Sequence, residues 1–205
     1  MPNNITTTPY SDLRQRARAL ALATLFDKPQ ERDNICDLLQ LGLELEKILE
    51  IASEPMLAMI RMQWWCDLFE SMTPPQEAPD FAIRLYRNQA VENQSLSTFV
   101  RAVQETLQSP EPHMMWDHLF TLLAQSNDWD IDRSVMQQLG LNFGALYINE
   151  ARGADVQLTD KEIKQASKSQ YGFPRLINLL IHRQIAEQSN EDNALIFRMV
   201  ARLLF

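Results

Sequence analysis

The chain has 205 residues, 45% apolar and 22% charged, the make-up of one ordinary globular domain able to bury a core. Its net charge of −8 argues against a nucleic-acid partner, because phosphate-gripping surfaces concentrate Lys and Arg. Five glycines are too few for a turn-rich β fold. Two cysteines, Cys36 and Cys66, both in apolar helical patterns, suit reduced core thiols and a cytoplasmic location better than a disulfide framework.

Residues 1–9 carry neither a basic n-region nor an apolar h-region and read as a disordered lead-in, with the domain spanning 10–205. A first helix is expected from Tyr10 to Phe26, capped by Ser11 ahead of Leu13, Ala17, Leu20 and Ala21. Arg14, Arg16 and Arg18 within it form a solvated face or a patch for peripheral membrane contact. A second helix follows over 31–52. The break Ser53-Glu54-Pro55 then opens a third, with proline in its first turn. Prolines at 74, 75 and 79 punctuate the next loop.

Helical periodicity continues near 80–90, 95–108, 113–126, 133–152, 159–169 and 174–188. The last two are joined through Tyr171-Gly172-Phe173-Pro174. A final helix sets Leu195, Ile196, Met199, Val200, Leu203 and Leu204 on one face. No apolar run approaches the roughly 18 residues that span a bilayer, so no transmembrane segment is expected. Strand alternation and internal repeats are both missing from the pattern, which gives an all-α single-domain bundle.

The third helix is the most informative. Leu57, Ile60, Trp64 and Leu68 make one apolar stripe and Met59, Met62, Cys66 and Phe69 a second, so the helix is expected to be central and Arg61 to be buried on it. A buried guanidinium needs an acid or an anionic ligand. In an antiparallel hairpin with the preceding helix, Glu44 or Glu46 would supply the acid. Two indoles at adjacent positions point about 100° apart, so one packs inward while the other meets a neighbouring helix or a cavity wall.

Glu54-Pro55, followed by Ile60-Arg61-Met62-Gln63-Trp64-Trp65-Cys66-Asp67, resembles the signature of the squalene/phytoene synthase family. Leu41-Gly42-Leu43-Glu44-Leu45-Glu46-Lys47-Ile48 is similar to the segment that precedes it there, and Met136 to Leu146, with Gly140 and Gly144, to a later helix. The resemblance covers roughly residues 10–155 and is specific at the paired tryptophans. It implies the isoprenoid synthase type of helical bundle, with Arg61, Trp64 and Trp65 at the substrate cavity. The chain is also shorter than typical enzymes of the family.

Active members, as the resemblance implies, hold Mg²⁺ between two acidic motifs so that the metal neutralises a leaving diphosphate. Aligned on Leu41, Glu46 and Glu50 occupy the two acidic positions of the first motif, four apart on one helix face. Both are Glu where the family has Asp, Lys47 replaces a frequent second Asp, and Leu43 replaces the usual Arg. An acid pair beside a lysine also describes a solvated helix face. In the second motif Glu150 stands for the first acid, but Asp155 lies five residues on and beyond Gly153, about 100° off the required face.

Other motifs fail on their own chemistry. Asp128-Trp129-Asp130-Ile131-Asp132 opens like a calcium loop, yet the required glycine is Arg133 and the closing glutamate is Leu139, so these acids read as helix caps. His113, His118 and His182 have no metal-ligand spacing.

Two functions remain in view. The first, favoured by the altered acidic motifs, is a non-catalytic synthase-like protein resembling the relatives that assemble respiratory complex I. It would act through a protein partner or a prenyl or other lipid ligand and need no cofactor. The second is an active Mg²⁺-dependent head-to-head prenyl transferase of isoprenoid biosynthesis, with Glu46 and Glu50 as catalytic and metal-binding residues and Glu150 as a further ligand.

Overall fold

The computed structural model describes residues 8–51, 55–71, 73, 77–88, 91–107, 115–145, 166 and 169–189, the side chains of 30, 50, 51, 88 and 182–189 excepted. Among the described residues the regular structure is all helical, without a strand. In chain order the helices are α1 (Pro9–Arg16), α2 (Arg18–Ala23), α3 (Pro29–Ile51), α4 (Pro55–Glu70), α5 (Asp80–Asn88), α6 (Asn93–Thr106), α7 (Met115–Ser126), α8 (Arg133–Phe143) and α9 (Gly172–Ser189). None is long and apolar enough to cross a membrane. The expected stretches 146–152 and 195–205 lie outside the described residues, and of 159–169 only Ala166 and Ser169 lie within them.

Thr8, not Ser11, caps α1. Thr8 Oγ1 accepts the Ser11 backbone N–H at 3.2 Å, and Ser11 Oγ donates to the Thr8 carbonyl at 3.1 Å. The single helix expected to Phe26 breaks at Ala17, whose φ of −146° leaves the helical region. No Gly or Pro stands there. Packing imposes the break, because α1 rests on α3 while α2 turns to meet α9.

The central element is α3, where the sequence had pointed to α4. Ile35, Cys36, Leu38, Leu39, Leu41 and Leu45 are fully buried, and the helix touches α1, α4, α5 and α7. Cys36 and Cys66 are buried free thiols, as expected. One charge sits inside the apolar run of α3: Asp37, which takes a two-pronged grip from Arg84 of α5, Nε at 3.0 Å and a terminal nitrogen at 2.8 Å. Asp12 of α1 stands 3.6 Å from the same guanidinium, so three helices share one cation. Burial pushes the Asp37 carboxyl up to about 6, against the pull of Arg84.

A second centre is aromatic. Trp116 and Phe120 of α7 meet Phe143 of α8 at centroid distances of 4.8 and 5.7 Å, and Phe120 meets Phe173 of α9 at 5.4 Å. Trp129 stacks on Tyr171 at 5.4 Å. The backbones of α7 and α8 come so close that a Cβ on Gly140 would strike the Trp116 carbonyl. Asp27, after α2, closes the bundle by accepting the Gly172 N–H that begins α9 at 2.9 Å.

Candidate functional site

On α3, Glu44, Lys47 and Ile48 follow an i, i+3, i+4 spacing and share one face, which looks toward α4. From α4, Arg61, Trp64 and Trp65 meet them across a cleft of about 290 Å³. The residues singled out on the paired-tryptophan helix therefore do line one cavity. Trp65 is buried against Phe69 and Phe81 at 6.1 and 5.8 Å, whereas Trp64, edge-on to it at 5.0 Å, remains 39% exposed at the cleft wall. One indole serves the core and the other the cavity, as their 100° divergence requires.

Arg61 departs from expectation. It is exposed, so water satisfies its charge and no buried acid is required. The two glutamates assigned to it are committed elsewhere. Glu44 forms an ion pair with Arg16 of α1. Glu46 accepts the indole N–H of the fully buried Trp116 at 3.0 Å, in the α3–α7 contact. Two residues separate Glu44 from Glu46, about 200° around a helix, which is why only Glu44 faces the cleft.

That placement bears on the metal chemistry the resemblance implies. Of Glu46, Glu50 and Glu150, only Glu46 has a described side chain, and it is turned to α7 rather than into the cleft. The described cleft wall offers Lys47, Arg61 and one carboxylate already paired with Arg16, a charge set that repels a divalent cation and attracts an anion. Among the described residues no group of three or more His, Cys, Asp or Glu side chains is placed to hold a metal. The residues that are described do not fit a Mg²⁺ clamp. Glu50 and Glu150 fall outside that test.

The remaining motifs resolve as structure. Asp132 caps α8, its carboxylate accepting the Ser134 N–H at 2.9 Å and the Ser134 hydroxyl at 2.8 Å. His118 sits on α7, 3.7 Å from Asp117, while His113 and the His182 side chain lie outside the described residues. Sequence reading missed the Asp37–Arg84 pair and the Trp116 bond to Glu46. The first had a signal, a lone acid within Ile35-Cys36-Asp37-Leu38-Leu39, which only a buried cation could explain. The second had none, because the two residues are 70 positions apart.

What fold and cleft define together is a helical bundle with an amphiphilic cavity, walled by cations and an indole, between α3 and α4. No family model, curated protein or solved structure matches the chain.

Proposed function

We propose that this chain is a squalene/phytoene synthase-like protein that performs no prenyl transfer and acts as a helical assembly or lipid-binding factor, in the manner of the family's complex I assembly relatives. One observation carries the reading: the acid that would anchor catalysis, Glu46, turns toward α7 and accepts the Trp116 N–H, while the cleft presents Lys47, Arg61 and Trp64. Cations with an indole suit an anionic head group joined to an apolar chain. They bind such a molecule without the paired carboxylates that would drive diphosphate departure.

Incubation with farnesyl or geranylgeranyl diphosphate and Mg²⁺ tests this directly. The expected result is binding, read as protection of Trp64 from acrylamide quenching and weakened by Lys47→Glu, with no diphosphate released above background. Release that Glu46→Gln abolishes would overturn the proposal. Glu46→Gln is the informative variant because its amide oxygen can still accept the Trp116 N–H, which spares that bond of the α3–α7 contact.

A further inference from the structure

Helix α4 is apolar on nearly every side, yet only part of it is covered. Ala58, Met62, Trp65, Cys66, Leu68 and Phe69 are buried. Met56, Leu57, Ile60 and Trp64, on adjoining rows within its first ten residues, stay open to solvent at 71, 46, 60 and 39%, and Met59 at their edge at 44%. Isolated exposed apolar residues are ordinary, but five in three turns of one helix form a patch.

Charge around the patch is uneven. Arg61 projects from the same half of α4 and Lys47 stands across the cleft, both exposed. Of the described carboxylates near them, Glu44 is paired with Arg16 of α1, and the exposed Glu105 follows Gln104 of α6, whose side chain reaches the Met59 carbonyl at 3.4 Å. The acids of α4 lie at its other end, where Asp67 accepts from Gln63 at 2.7 Å and Glu70 from Arg101 at 2.6 Å. In a chain of net charge −8, two exposed cations, Arg61 and Lys47, thus stand beside the open apolar face.

We infer that this face of α4 docks on an anionic lipid bilayer. The charges complement acidic head groups, and Trp64 and Arg61 are side chains that settle at a head-group boundary with apolar parts inward. Because Arg61 and Trp64 also line the cleft, docking sets the cleft mouth against the lipid head groups. The inference goes beyond the proposed function, since it needs neither a ligand in the cleft nor synthase ancestry.

Co-sedimentation of the full chain with phosphatidylcholine vesicles, with and without phosphatidylglycerol, provides the test. Binding is expected only to the anionic vesicles and should weaken with salt. Ile60→Asp and Arg61→Glu are each expected to lower partitioning about tenfold. Arg133→Glu, the same charge change at an exposed site on α8, should leave it unaltered. Trp65, Trp116 and Trp129 are at most 6% exposed, so acrylamide reads mainly Trp64, and its quenching should fall on docking. No binding to anionic vesicles overturns the inference. So does binding that the α4 variants leave intact while they retain native circular dichroism, or a dimer in sedimentation velocity that Ile60→Asp dissolves.

Discussion

Glu46 shows how one side chain decides between two accounts of the same motif. Its carboxylate accepts the Trp116 N–H, and Trp116 is fully buried, so removing the acceptor strands an indole donor in the core. Glu46→Ala is therefore expected to cost about 1–3 kcal/mol, the penalty of a buried group left without its hydrogen bond. Glu46→Gln keeps an acceptor at that position and should cost less than about 1 kcal/mol. Urea midpoints for the two variants check the order, and equal midpoints would mean that the bond contributes nothing to folding. Arg61 teaches the complementary lesson: neighbours in sequence marked it as buried, yet it is exposed and makes no ion pair among the described residues.

At the scale of elements, periodicity was readable and packing was not. The apolar repeat located α3 within two residues at each end and Pro55 marked the start of α4, because both follow from chain-local rules. The break at Ala17 and the open face of α4 depend on which helices come to rest beside them, and no residue in either helix specifies that. Cleft membership shared this limit, since Arg61, Trp64 and Trp65 were legible from their motif while Lys47 entered only once α3 and α4 were seen facing each other. Glycines show the same dependence. A Cβ at Gly140 meets the Trp116 backbone, which cannot retreat without parting α7 from α8, whereas at Gly42 it meets the end of the Leu119 side chain. Gly140→Ala should destabilise by about 3 kcal/mol and Gly42→Ala by about 1 kcal/mol or less, helped by the better helix propensity of alanine. Thermal melts that rank the two alike would refute the close approach of α7 and α8.

The whole molecule is closed by polar ties between distant segments, and their titration gives its stability a particular pH dependence. Asp27 joins the turn after α2 to the first residue of α9, 145 positions away. Its Oδ1 accepts the Gly172 N–H, but its buried Oδ2 has no hydrogen-bond partner among the described residues. Burial accordingly pushes the carboxyl from 3.8 up to about 6, with the backbone N–H groups of Gly172 and Phe173 pulling the other way. Asp37, buried beneath Arg84, is displaced in the same direction to about 6. A group whose proton is held more tightly in the folded chain stabilises it when protonated. The contribution is complete below the unfolded value near 3.8 and is lost as pH rises through about 6. Each acid thus works against the usual loss of stability in mild acid. For Asp27 the full swing is on the order of 3 kcal/mol, from about 1.4 kcal/mol for each pH unit of displacement. Asp27→Asn cannot titrate, yet its amide oxygen still accepts the Gly172 N–H. The difference in unfolding free energy, natural chain minus variant, is therefore expected to fall steadily between pH 4 and pH 6.5 and to flatten above it. A difference that stays constant across this range in urea titrations would mean that Asp27 keeps an ordinary carboxyl, and with it that the joint between α2 and α9 is open to water.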